Sequence, residues 1–276
     1  MGLQYQTMNR TELDKAYNNT QAIDNFPKVY ADFQQRSQRT YSTLACTRDI
    51  FYHDKERTRL DFFDCGINDA PTLIFIHGGY WQNCTKEDFA FIAEGPIKNG
   101  VDVILVEYTL APEASMTQIV GEIGIMLDFL RHNASRFKLT EGKVCLSGHS
   151  AGGHLTALHS WHPLISHAMP ISALVDLRPI SLCWLNDKLQ LTELEIESFS
   201  PAQLTAGNVP TQVCVGGGEL PELVEHSRLY YQHLLDSHIP AEYLAVEGNN
   251  HFSLLEQLSS DNGAVTQALL RLLSTE

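Results

Sequence analysis

An α/β domain built on a mostly parallel sheet is what this sequence predicts, and three observations predict it. Short continuous apolar runs, such as Thr72–Ile76 and Val101–Val106, read as strands buried on both faces. Stretches with apolar residues at helical spacing follow them, the clearest being Met116–His132 with Ile119, Ile123, Met126, Leu127 and Leu130. The two kinds alternate from Thr72 to the C-terminus, and no repeat, low-complexity tract or linker divides the 276 residues. The expectation is one domain over residues 1–276, with about eight strands and helices on both faces.

The elements follow in order. Residues 1–40 are polar with scattered aromatics (Tyr5, Tyr17, Phe26, Tyr30, Phe33) and read as an arm, with the helix pattern clearest over Pro27–Arg39. Thr43–His53 and Thr58–Cys65 alternate and are rich in aromatic and β-branched residues, which suggests a leading antiparallel pair. Strands are then expected at Thr72–Ile76, Val101–Val106, Lys143–Leu146, Pro170–Val175, Thr211–Val215 and Glu242–Val246. Helices are expected at Thr85–Lys98, Met116–His132, Ala151–Trp161, Glu222–Ser237 and Phe252–Leu273. Residues 178–208 read as an irregular insertion placed to cap the site, gating access and excluding water.

Composition excludes several classes. Apolar residues make up 43% and charged residues 19%, a globular balance. Nineteen Lys and Arg against 33 Asp and Glu leave a net charge of −14, which repels nucleic acid, anionic lipid and polyanionic substrates. No run approaches the roughly 20 apolar residues of a membrane span. Met1–Arg10 has no apolar signal region, and the Met1-Gly2 start lacks Ser or Thr at position 6, which is Gln6. A cytoplasmic protein is expected, with no nucleic-acid or membrane partner. The cysteines (Cys46, Cys65, Cys84, Cys145, Cys183, Cys214) form no Cys-x-x-Cys pair and are expected to be reduced and structural. His154, His159, His162 and His167 have no accompanying ligands at metal-site spacing. Gly216-Gly217-Gly218 lacks the Lys-Ser/Thr of a phosphate loop. No metal or cofactor is therefore expected. Glu193, Glu195 and Glu197 read as a solvated face of the insertion.

Chemistry concentrates where strands end, as it does in open α/β sheets. Gly148-His149-Ser150-Ala151-Gly152 lies between a strand and a helix, the setting of a nucleophile elbow. The tight turn needs small residues two before and two after Ser150, and the helix behind it favours developing negative charge. His77-Gly78-Gly79-Tyr80-Trp81 follows the Thr72 strand, where a glycine loop can aim N–H groups at one point. The expected oxyanion donors are the N–H groups of Gly79, Tyr80 and Ala151. His251 lies beyond the last strand, as a general base should. Glu219, after the triple glycine, is the expected acid orienting it, with Asp176 and Glu222 as alternatives. Tyr80, Trp81 and His149, with Trp184 of the insertion, are candidates to line an aromatic-accepting pocket.

These stretches resemble the arylformamidase (kynurenine formamidase) branch of the α/β-hydrolase superfamily, near the hormone-sensitive-lipase-like esterases. The resemblance is carried by His77–Trp81, Gly148–Leu155, Asp176-Leu177-Arg178-Pro179 and Glu219–Leu223, and covers Asp61 to Phe252. Lipase-like esterases mostly carry a third glycine where this chain has Tyr80. The resemblance implies Ser150 as nucleophile, His251 as base and the Gly79–Tyr80 backbone as oxyanion loop. The family's acid is usually Asp, and here it is Glu219.

The implied reaction is hydrolysis of N-formylkynurenine to kynurenine and formate. An anilide nitrogen shares its lone pair with the ring and leaves more readily than an alkyl amine, and a formyl carbon is unhindered. One such site can therefore cleave aryl formamides and small esters alike, with pocket shape deciding between them. The resulting expectation is a serine hydrolase working through an acyl-enzyme on a small ester or formamide, foremost a short-chain carboxylesterase. Two alternatives stand beside it: a dedicated kynurenine formamidase, and a non-catalytic hydrolase-fold binding module. A homodimer through an edge strand or the last helix is compatible with the sequence.

Overall fold

The computed structural model describes residues 4–139, 143–205 and 207–275. Met1 and Gly2, with the myristoylation reading, lie outside the described residues. The eight strands are β1 (Cys46–Phe51), β2 (Arg59–Phe63), β3 (Thr72–Ile76), β4 (Asp102–Val106), β5 (Val144–His149), β6 (His167–Ile171), β7 (Thr211–Gly216) and β8 (Ala241–Val246). They form one sheet in the order β1-β2-β4-β3-β5-β6-β7-β8. The leading pair is antiparallel, β2 pairs antiparallel with β4, and every later pairing is parallel. The apolar runs of β3, β4 and β5 are buried along their whole length, as central strands covered on both faces must be. The edge strand β1 instead exposes Thr47, Arg48, Asp49 and Phe51 and buries Ile50.

The helices are α1 (Arg10–Ala16), α2 (Phe26–Thr43), α3 (Glu94–Lys98), α4 (Met116–His132), α5 (Ala151–His159), α6 (Arg178–Ser181), α7 (Asn186–Leu189), α8 (Glu193–Ser198), α9 (Pro221–Asp236), α10 (Glu256–Ser259) and α11 (Ala264–Ser274). One core holds the apolar face of α4 (Ile119, Ile123, Met126, Leu127) with Ile74 and Leu146 of the sheet. A second, on the opposite face, packs Leu269 and Leu273 of α11 against Leu73, Phe75 and Cys145.

Three elements depart from expectation. The helix expected over Thr85–Lys98 is a 3₁₀ segment, Lys86–Ala93, followed by the short α3. Pro96 has no N–H to bond the Ile92 carbonyl, so a continuous α-helix is not available there. The strand expected at Pro170–Val175 is β6, which begins at His167 and stops at Ile171 because Ser172 adopts φ of 50°. The last helix is broken into a 3₁₀ turn (Ser253–Leu255), α10 and α11, with the turn-forming residues Asp261, Asn262 and Gly263 between the helices. The insertion holds α6 to α8 rather than irregular chain. Within it Glu195 is buried, not solvated: it closes a capping box with Thr192 and accepts from the Thr117 N–H and hydroxyl.

The N-terminal arm docks across the carboxyl ends of the strands. Tyr17 is buried and donates or accepts at His226 Nε2 of α9 over 3.0 Å, and Asn19 N–H donates to the Tyr80 hydroxyl at 2.9 Å. Since the Val175 N–H donates to His226 Nδ1, His226 carries its proton on Nε2, and the Tyr17 oxygen accepts it. Arg10 reaches Asp187, and Asp14 accepts from the Trp184 N–H, so arm and insertion are joined. α2 packs along the 3₁₀ segment, with Phe33 stacked on Phe91 at 4.5 Å and Tyr30 donating to Asp88.

Burial lowers His154 and His159 to about 4 and His226 to about 3, from 6.5. The unfolded chain therefore takes up protons first on acidification. Their contribution is whole above about pH 6.5 and is lost as pH falls toward 4, by about 1.4 kcal/mol per pH unit for each group. The urea unfolding midpoint should drop steeply between pH 6.5 and 4. A flat midpoint over that range would rule out neutral buried imidazoles.

Candidate active site

The site forms where the ends of β3, β5, β7 and β8 converge. Ser150, the first residue after β5, has φ 57° and ψ −115°, a conformation costly for a non-glycine residue and typical of a forced turn. Its N–H donates to the Ile171 carbonyl, which ties the turn to β6. A Cβ at Gly152 would lie 2.0 Å from the Ile76 carbonyl oxygen, so only glycine lets α5 pack this close to β3.

The loop after β3 lies against this turn: a Cβ on Gly78 would come within 3.2 Å of Ser150 Cβ. Gly79, Tyr80 and Trp81 all have positive φ (108°, 59° and 59°). A side chain at Gly79 would also strike the Asn83 carbonyl oxygen at 2.2 Å. Among the described residues, no hydrogen bond uses the N–H of Gly79, Tyr80 or Ala151.

Two further loops bring the acid and the histidine together. The Gly218 N–H donates to the Asn249 carbonyl, and the Gly217 N–H donates to Val246, zipping the turn after β7 to the one after β8. Glu219 then sits behind His251. His251 Nδ1 donates to Glu219 Oε2 at 2.6 Å, while Glu219 Oε1 accepts from the Gly216 N–H (2.8 Å) and the Ser172 hydroxyl (2.5 Å). Both carboxylate oxygens are thus committed, and the histidine tautomer is fixed with Nε2 facing away from the acid. Ser150 Oγ opens on the cavity and makes no hydrogen bond to His251 Nε2, a contact that in free enzymes commonly tightens only on substrate.

His149 plays a part beyond the pocket wall. Its Nε2 donates to the His251 carbonyl at 2.9 Å, and the two rings lie 4.3 Å apart. Burial, then the neighbouring His251, push its pKa well below the ordinary range, so it is a neutral strut. Asp176 and Glu222 stand away from His251. Asp176 Oδ1 accepts from the Arg178 N–H, and Glu222 opens the first turn of α9 beside a separate surface cleft.

A cavity of about 490 Å³ opens above Ser150 and His251. Tyr80, His149 and Trp184 line it, as the sequence suggests. Trp81 does not: it is fully buried and packs edge-on against the His154 ring at 5.1 Å, because the left-handed turn at Tyr80 and Trp81 sends consecutive side chains different ways. Sequence reasoning missed the rest of the wall. Phe26, Tyr30 and Phe33 of the arm close one side, with Phe89, Cys84 and Phe252. The insertion contributes Trp184 alone among the lining residues, so the arm is the main cover. Ser172 was missed as well; its one signal is a small polar residue at the end of the strand beside the elbow. Among the described residues no cluster of three His, Cys, Asp or Glu is arranged to hold a metal ion.

A family model described as BD-FAE matches residues 65–165. The chain is 26% identical to the kynurenine formamidase of Danio rerio over 98% of each chain. Its fold superposes with a TM-score of 0.85 on a Silicibacter sp. TM1040 protein with a provisional thioesterase assignment, at 24% identity over 94% of this chain and 99% of that one. It superposes at 0.75 on the hyperthermophilic esterase of Pyrobaculum calidifontis, at 17% identity over 99% of both. Sheet order, elbow and neighbours show the α/β-hydrolase fold. Within that fold, the chain is similar to kynurenine formamidases in sequence and to esterases in structure.

Glu219→Gln keeps the size of the side chain but removes the charge that favours the required tautomer. Turnover should fall by about 10⁴-fold with the fold intact, the magnitude seen when a triad acid becomes its amide. Retention of near-native kcat would remove Glu219 from the site.

Proposed function

We propose that the chain is a serine hydrolase that cleaves small carboxylic esters and aryl formamides. His251 Nε2 takes the Ser150 proton as Oγ attacks the carbonyl carbon. The N–H groups of Gly79, Tyr80 and Ala151 hold the oxyanion. The carbonyl re-forms as the alcohol or aniline leaves with the proton from His251. Water, deprotonated by the same imidazole, then releases the acid and restores Ser150. The observation that carries this reading is the 2.6 Å Glu219–His251 pair backing a cavity that Ser150 shares.

The substrate class follows from the wall. Seven of the lining side chains are aromatic (Phe26, Tyr30, Phe33, Tyr80, Phe89, Trp184, Phe252), and none is Lys, Arg, Asp or Glu. Such a cavity favours an uncharged aryl or short acyl group. A dedicated kynurenine formamidase is the second reading, favoured by the full-length likeness to the Danio rerio enzyme. On that reading the charged amino-acid end of N-formylkynurenine extends to the mouth of the cavity. The cysteines are all free, three of them buried, which fits a reducing, cytoplasmic setting.

The deciding comparison is kcat/KM for N-formylkynurenine against p-nitrophenyl acetate and butyrate. Ester turnover at least equal to formamide turnover is expected, and a strong formamide preference would establish the second reading instead. Ser150→Ala should lower kcat by roughly 10⁶-fold, to what binding and the oxyanion donors alone supply. Undiminished activity in that variant would sink the serine mechanism.

A further inference from the structure

Trp184 is the insertion's one contribution to the cavity wall among the described residues, and the arm holds it in place. The Trp184 N–H donates to Asp14 Oδ1 of α1 at 2.7 Å. The same oxygen accepts from Arg10 Nε at 2.9 Å, and Arg10 Nη2 reaches the Asp187 carboxylate of α7 at 3.0 Å. The chain on either side of Trp184 is fixed as well. Cys183 and Leu185 are fully buried, and the Leu185 carbonyl accepts from the Gln82 side-chain amide at 2.8 Å. The side chains of Arg10, Asp14 and Asp187 are between 36% and 69% exposed, so their ion pairs contribute little in water. The tether is the charge-assisted bond from the Trp184 N–H to the Asp14 carboxylate.

The two sides of the cavity differ. In the proposed mechanism His251 delivers a proton to the departing oxygen or nitrogen, so the leaving group must lie beside the His251 ring. That ring meets Phe252 edge-on at 5.4 Å, Phe252 meets Phe26 at 4.9 Å, and Phe26 stacks on Tyr30 at 5.8 Å and 21°. A flat aryl group finds aromatic faces there. Trp184 stands apart from that run. Its ring packs edge-on against Tyr80 at 5.3 Å and 69°, and among the described residues it shares no ring contact with His251, Phe252, Phe26 or Tyr30. The two substituents of a carbonyl carbon point apart, so an acyl group heads away from the aromatic run beside His251.

We propose that Trp184 bounds the acyl side of the cavity and limits the length of the acyl group, and that Asp14 is the positioning residue that keeps it there. A short acyl group fits in front of the indole. A long one must displace it, against the Asp14 tether and the buried residues on either side. The inference rests on the serine-hydrolase reading and deepens it: a short acyl group and an aryl leaving group occupy opposite sides of one cavity.

The test reads ratios. For the wild-type protein, kcat/KM for p-nitrophenyl octanoate should lie on the order of 10²-fold below that for the butyrate, and Trp184→Ala should close the gap by about tenfold. Asp14→Ala should move the ratio the same way by about fivefold, as loss of one hydrogen bond allows. Asp14→Asn keeps an oxygen to accept the Trp184 N–H and should retain the wild-type ratio. Because both residues act through one indole, Asp14→Ala should add nothing to Trp184→Ala. A general loss of stability would lower both esters together and leave the ratio unmoved. Phenyl acetate and naphthyl acetate differ only in the leaving group, and their ratio should not change in Trp184→Ala.

The outcomes are separable. If the wild-type protein cleaves no ester and a fluorophosphonate leaves Ser150 unlabelled, the parent reading fails and this one with it. The acyl limit alone is overturned if Ser150 is labelled but neither acetate nor butyrate is cleaved, or if octanoate is taken as readily as butyrate. It is overturned equally if Trp184→Ala leaves the octanoate ratio unmoved or shifts the naphthyl ratio in its place. The positioning role is overturned if folded Asp14→Ala keeps the wild-type ratio or Asp14→Asn loses it. Should Asp14→Ala fail to fold by circular dichroism, hydrogen exchange in the wild-type protein decides: a slowly exchanging Trp184 N–H supports the tether, and one that exchanges as in a free chain overturns it.

Discussion

The site depends first on the backbone of one residue. Ser150 adopts a conformation that costs of order 1–3 kcal/mol for a side chain of its kind. That conformation persists because the structure on either side leaves no alternative. β5 ends between β3 and β6, the Ser150 N–H is taken by Ile171, and α5 starts at once against the Ile76 carbonyl with its whole length buried. Relaxing the turn would pull α5 out of the core. The same close approach seats the glycine loop after β3, so the candidate nucleophile and oxyanion donors share one origin.

The histidine is placed by a different principle. No helix or strand carries it. Two adjacent loops are hydrogen-bonded to each other, and their contacts fix Glu219 and His251 from both sides. Ser172 holds the acid, and neutral His149 holds the His251 backbone. A neutral strut suits the proposed mechanism, because a second cation 4.3 Å from His251 would oppose the charge that a general base there would acquire.

Much of this was legible in the sequence where a signal was local. The buried runs of β3 and β4, the pentapeptide around Ser150 and the glycines at 78 and 79 each encode their own geometry within a few residues. The failures have local causes too. Pro96 and the Asp261–Gly263 turn break helices that apolar spacing alone would continue, and positive φ at Ser172 ends a strand early. Trp81 was misread because its direction depends on two consecutive left-handed residues, which composition does not reveal. Phe26, Tyr30 and Phe33 were legible as aromatic but not as pocket wall. Their contacts lie at Phe89 and Phe252, and nothing in a one-dimensional pattern records which distant surface an arm will cover.

That arm has a consequence for the order of assembly. Phe26 of the arm meets Phe252, which lies beyond the last strand, at 4.9 Å, and Tyr17 meets His226 of α9. The elbow and its sheet can be complete while the cavity still lacks a wall. The proposed reaction machinery and the main wall of the cavity thus reside in separate segments of the chain. They are equally free to diverge separately during descent: an altered arm can redirect the enzyme to new molecules while the strand-end loops stay as they are.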